Sequence, residues 1–186
     1  MQVYPLLLPI QKLDETLPIL KPDQKVLSTD PSSGIQVTWI GHATVLVQME
    51  GLNVLTDPVF SARASPFSFA GPKRFREAAC SIEELPRIDA VMISHNHYDH
   101  LDVNSVRDLN NKHKGDEIHW LVPKGQGQWM RSTGCKNVTE FEWWEEKEVK
   151  GVTVAFVPVQ HWSKRTATDD NKVILQNMSF LKILTL

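Results

Sequence analysis

The stretch Ser94-His95-Asn96-His97-Tyr98-Asp99-His100-Leu101-Asp102 constrains this chain more than any other. It sets three imidazoles and two carboxylates together directly after the apolar run Ile88-Asp89-Ala90-Val91-Met92-Ile93-Ser94. A short, continuous apolar run of this kind reads as a strand buried on both faces. The strand fixes the base of the loop, and the loop is free to turn its side chains onto one point. In extended backbone His95 and His97, two residues apart, face the same side. Asp99 and His100 follow where the chain must bend. Imidazole and carboxylate in such a cluster are ligands suited to Zn²⁺ or a related first-row metal.

A catalytic zinc usually takes three protein ligands and keeps one open position. His161 is the expected third ligand. It follows a second apolar strand, Val152 to Val157, in Pro158-Val159-Gln160-His161-Trp162. With His95 and His97 it would form one site. Asp99 and His100 then point to a second cation about 3.5–4 Å away, with Asp99 in a catalytic role. Asp57 ends another strand in Leu55-Thr56-Asp57-Pro58. It can hold the far N–H of a ligand histidine, or serve only as a turn aspartate before proline. His42, in Gly41-His42-Ala43-Thr44, reads either as such a supporting residue or as a turn histidine. His113 and His119 read as ordinary surface or core histidines.

Around this centre the pattern is mixed α and β. Ile35 to Ile40, Thr44 to Met49 and Asn53 to Thr56 predict an antiparallel meander with a turn at Glu50-Gly51. Residues 57–80 have no period and carry Pro58, Pro66, Gly71 and Pro72, which predicts a long irregular loop. A helix is expected over about Asp102 to His113 with Asp102 as its N-cap, and another over Gln126 to Ser132 closed by Gly134. Strands are expected at Ile118 to Val122, Val138 to Phe141, Glu148 to Lys150 and Val152 to Val157. Strands first and then alternating strand and helix predict an α/β sandwich with a mixed sheet. The expected organisation is an arm over 1–30, a domain over 31–173 and an apolar tail over 174–186 that fits either a short helix or a buried strand.

His-x-His-x-Asp-His after an apolar strand resembles the signature of the metallo-β-lactamase superfamily. Trp39-Ile40-Gly41-His42-Ala43-Thr44, Leu55 to Phe60, Phe69 to Arg74, Ser94 to Asp102 and Gln160-His161-Trp162 with Lys164-Arg165 narrow the resemblance. Together they are similar to the N-acylphosphatidylethanolamine-hydrolysing phospholipase D family, from about Leu20 to Val173. The resemblance implies the first half of an αββα sandwich with flanking helices. It also implies two zinc ions and release of an N-acylethanolamine and phosphatidic acid. His95, His97 and His161 then bind one zinc, and Asp99 and His100 the other. Tyr98, Lys164 and Arg165 match positions that meet the lipid substrate or a phosphate or carboxylate near the pocket mouth. The pattern breaks at about Ile174, which implies a shortened chain with one well-held zinc site, doubtful activity and an uncovered apolar sheet face. A weakly active zinc-binding fragment that associates with another chain is the alternative expectation. Another hydrolase of the superfamily, acting on a lactone or a sugar phosphate, is a further one.

Composition limits the partners. Lys plus Arg is 20 against 22 Asp plus Glu, a formal charge of −2, so no basic surplus points to nucleic acid. The apolar opening residues carry Pro5 and Pro9 and lack a basic flank or cleavage site. The expectation is an intracellular protein, cytoplasmic or peripheral at a membrane and not secreted, with a phospholipid substrate and a tendency to form homo-oligomers. Cys80 and Cys135 are expected as buried or half-buried thiols.

Overall fold

A computed structural model of the chain describes residues 14–67, 69–113, 117–159, 161, 163–165 and 176–181, the last six as backbone. The first part of the expected arm, the expected boundary at 174 and the end of the tail lie outside these residues.

Six strands form the first sheet in simple sequence order: β1 (Gln36–Gly41), β2 (Thr44–Met49), β3 (Leu52–Thr56), β4 (Ala90–Met92), β5 (His119–Pro123) and β6 (Val138–Phe141). β1, β2 and β3 pair antiparallel, as the meander pattern predicts. From β3 to β6 every pairing is parallel. The parallel strands end at one edge, where open α/β sheets place their ligands. Beside the sheet lie α1 (Gln24–Leu27), α2 (Val103–Lys112) and α3 (Gly127–Ser132). Asp102 caps α2 by accepting from the Asn104 amide at 3.2 Å. The regular strand at Ile88–Ser94 is shorter than the apolar run. Only Ala90–Met92 pair as β4, because the chain leaves the sheet to form the ligand loop.

Period-two alternation sorts the side chains into two cores. Leu46, Leu55, Val91, Ile93, Trp120 and Val122 face the helices, where they meet Leu101, Val106, Leu109 and Met130. Val47, Val54, Ala90, Met92 and Leu121 face the other way.

A second sheet covers that other face: β7 (Glu146–Val149), β8 (Val152–Pro158) and β9 (Gln176–Leu181), in order β7-β8-β9 and antiparallel throughout. Val149, Val152, Val154 and Phe156 close the second core, with Phe156 stacked on Phe141 at 4.1 Å between ring centroids. The expectation of an uncovered apolar face is therefore corrected. β7 and β8 supply enough apolar residues to bury it, and β9 pairs along β8 from Pro158↔Gln176 to Thr153↔Leu181. The architecture is helices on a mixed sheet on a second sheet.

Candidate metal centre

The centre is assembled by the parallel pairing of β3 and β4. Thr56 is in register with Met92, so Asp57, one residue on, emerges beside Ser94, two residues beyond Met92. The Asp57 amide donates to the Met92 carbonyl at 2.8 Å. Asp57 sits at φ 36°, a left-handed conformation that is uncommon for a non-glycine residue and collects at functional sites. Its buried carboxylate repays that conformation with three bonds. It accepts from the Ser94 amide at 2.7 Å, from the Ser94 hydroxyl at 2.6 Å and from His100 Nδ1 at 2.8 Å.

These bonds decide which ring nitrogens carry protons. Ser94 Oγ–H donates to Asp57, so Ser94 Oγ accepts from His95 Nδ1 at 2.8 Å. His95 Nε2 is left with a lone pair, facing His97 Nδ1 at 2.9 Å. His100 Nδ1–H donates to Asp57, leaving His100 Nε2 as the nitrogen for which a cation and a second proton compete, with Asp99 Oδ2 at 3.9 Å. A ligand histidine needs this arrangement, with its outer N–H held and its inner lone pair aimed inward.

Two groups of three donors result, each with ligand atoms within 4.8 Å of one another: His95, His97 and His161, and His42, Asp99 and His100. His161 arrives from the loop after β8, with its ring 4.7 Å from His95 and 5.2 Å from His97. The rings of His95 and His100 lie 4.1 Å apart, so the groups share a wall. These residues fit divalent cations. The first group offers imidazoles alone, and the second adds a carboxylate.

Electrostatics separates the groups. Burial and the neighbouring imidazoles His100, His97 and His161 push the His95 pKa down to about 3, so it is neutral and ligand-ready. Burial also lowers His97, despite the Asp99 charge. For His100 burial is outweighed by the hydrogen bond and charge of Asp57 and by Asp99, and its pKa rises. Burial would raise Asp99, but His100, its own backbone N–H, His42 and His97 together lower it.

The sequence reading left His42 open between two roles. The structure places it in the second donor group, with Nε2 3.1 Å from Asp99 Oδ2. His42 lies in the turn between β1 and β2 at φ 53°. Asp57 stands behind His100, and Ser94, which the sequence reading passed over, links Asp57 to His95. The signal for Ser94 was its place at the end of a strand parallel to the one ending in Asp57. Arg165 donates to the Asn96 and Leu101 carbonyls and lies over the Tyr98 ring. Lys164 is half-buried. His113 and His119 lie away from both donor groups, and burial lowers the pKa of each. Cys80 and Cys135 are buried free thiols, raised by burial.

The second group opens into a cavity of about 700 Å³. Leu17, Ile19, Leu20, Trp39 and Phe75 give it apolar walls, Lys73, Arg74 and Arg76 bring positive charge, and His42 and Asp99 are part of its lining. Arg74 donates to the Val59 carbonyl and, at 3.1 Å, to the Arg76 carbonyl.

Residues 52–181 match the family described as β-lactamase superfamily domain. The chain belongs to the metallo-β-lactamase superfamily. It is 41% identical over 170 residues to the N-acyl-phosphatidylethanolamine-hydrolyzing phospholipase D 1 of Caenorhabditis elegans, a match covering 86% of this chain and 46% of that protein. It is 40% identical over 139 residues to the mitochondrial N-acyl-phosphatidylethanolamine-hydrolyzing phospholipase D of Saccharomyces cerevisiae, covering 73% of this chain and 29% of that one. Among solved structures it resembles CmlA, a diiron β-hydroxylase from Streptomyces venezuelae, with a TM-score of 0.57 at 26% identity over 83% of this chain and 28% of that chain. The chain thus spans about half, or less, of the length of these curated relatives. Among the described residues no helix is long and apolar enough to cross a membrane.

Proposed function

We propose that this chain carries the metal-ligand core of a zinc-dependent phospholipase D-type hydrolase that acts on N-acylphosphatidylethanolamine. Water adds at phosphorus, the bond from phosphorus to the ethanolamine oxygen breaks, and that oxygen leaves with a proton as the N-acylethanolamine. Phosphatidic acid is the other product. The observation that carries this reading is the junction of two donor groups with an apolar, cation-bearing cavity. The names of the nematode and yeast relatives favour this substrate over others.

Divalent cations held there supply Lewis acidity towards a phosphodiester. The chain's own residues do the rest. His95, His97 and His161 offer imidazole donors, while Asp57 orients His100. Apolar walls at Leu17, Leu20 and Trp39 accept acyl chain, and Lys73 and Arg76 attract the phosphate. Asp99 belongs to a donor group and also lines the cavity, so it faces the reacting phosphate. The exposed rings of Trp39, Phe67, Phe69 and Phe75 suit peripheral contact with a lipid surface.

The test is product release. The purified chain is incubated with N-acylphosphatidylethanolamine in mixed micelles, with zinc or with a chelator, and products are read by mass spectrometry. N-acylethanolamine formed with zinc and lost with chelator is expected. No release above background with zinc present overturns the proposal.

A further inference from the structure

Arg165 lies four residues beyond His161, on the loop that brings the late imidazole to the centre. Its Nη1 donates to two main-chain carbonyls, Leu101 at 2.7 Å and Asn96 at 3.1 Å. Asn96 stands between His95 and His97, and Leu101 directly follows His100, so the two carbonyls bracket the early ligand loop. The guanidinium also lies over two aromatic rings. Tyr98, between His97 and Asp99, is 4.2 Å away, and Trp129 of α3 is 4.8 Å away. Trp129 packs on the core between helices and sheet. One side chain therefore joins the loop after β8, both ends of the loop after β4, and a helix anchored in the core.

This geometry has a physical logic. A loop that turns its side chains inward to one point leaves main-chain carbonyls outside any ladder, and buried carbonyls need donors. Arg presents a flat, rigid fork whose edge donates while its faces stack on rings. Lys is a compact point charge on a flexible stem and cannot do both at once. The early and late ligands lie on different sheets, so no strand pairing fixes the distance between them.

We propose that Arg165 is a positioning residue that staples the early ligand loop to the late one, and so sets His161 against His95 and His97 for a cation. The proposal rests on the reading that these histidines hold a metal. It differs from a substrate role for Arg165, since a guanidinium engaged by two carbonyls and two rings is committed to the protein itself.

The experiment measures zinc affinity of the full chain by competition with a chromophoric chelator, for the parent, Arg165→Lys, Arg165→Ala, Tyr98→Phe and Tyr98→Leu. Circular dichroism of the metal-free proteins reports folding. Arg165→Lys is expected to weaken zinc binding by about 10- to 100-fold, the range for residues that orient metal ligands, with the metal-free fold intact. Tyr98→Phe keeps the ring and is expected to bind like the parent, while Tyr98→Leu weakens binding. In Co²⁺-loaded protein, Arg165→Lys is expected to shift the visible absorption bands, because ligand geometry changes. Parent-like zinc affinity and Co²⁺ bands in both Arg165→Lys and Tyr98→Leu overturn the proposal, including where turnover changes only through KM. If Arg165→Ala does not fold, the lysine variant decides. Failure of the parent itself to bind zinc overturns the proposed function instead, so the two failures are distinct.

Discussion

The two donor groups stand wall to wall and are built on different principles. His95, His97 and His161 form an all-imidazole group whose anchor, His95, is buried and held neutral. His42, Asp99 and His100 form a mixed group open to the cavity, and two carboxylates draw His100 towards protonation. The side chains of His42 and Asp99 are 52% and 47% exposed, so solvent reaches this group directly. Burial and the neighbouring imidazoles together select the neutral form of His95. At His100 the hydrogen bond and charge of Asp57, with Asp99, outweigh burial, and proton and cation then compete for the same ring. The first group is the better preformed holder, and the second is the better place for a substrate to meet the centre.

The comparison breaks most visibly if the all-imidazole group is not the tighter one. His95→Ala is expected to lower zinc affinity by more than the about 100-fold that removal of an orienting partner can cost, read by chelator competition. His42→Ala should remove only the weaker equivalent, as counted by elemental analysis. Asp57→Asn is expected to weaken the second group by about 10- to 100-fold, since it loosens His100 and Ser94 together. If it spared that equivalent, Asp57 would be only a turn residue.

The pH dependence of the metal-free fold sharpens the contrast. His95 is depressed from 6.5 to about 3, so stability falls as pH drops through that window, because only the unfolded chain takes the proton. His100 is raised, so its contribution is full below the unfolded value of 6.5 and is lost as pH rises through the folded one. Thermal melts of His95→Gln should show a flatter acid decline, and melts of His100→Gln a steeper one. The smallest expected effect lies outside both groups. Asp102 caps α2 and accepts from the Ser61 amide at 3.0 Å and from Ser105 Oγ at 2.6 Å. Asp102→Ala should cost about 1–2 kcal/mol in denaturant unfolding, with both groups still binding.

Much of this was legible in one dimension. Alternation over Ile35–Ile40 and the β-branched run Thr44–Met49 announced strands, and Asp102 before Val103–Lys112 announced a capped helix. The ligand cluster was legible because its residues are adjacent and follow an apolar run. The second sheet's cover was harder to see. Val149, Val152 and Val154 carry an ordinary strand pattern that does not say which face they will bury. His42 is 57 residues from Asp99, and nothing local distinguishes it from any turn histidine. Arg165 is 64 residues from the Leu101 carbonyl that it holds, and a basic residue in a loop reads as surface charge.

The sequence by itself determined the donor types, the strand that launches them and the family of fold, because these depend on neighbours within a few residues. Tertiary structure alone decided that His42 joins the second group, which imidazole is neutral and which is drawn to a proton, and which carbonyls the late loop's arginine holds. Those outcomes depend on distances of 3–5 Å between residues tens of positions apart, and on how deeply each is buried. Both are fixed only when the parallel edge of one sheet meets the loop of another.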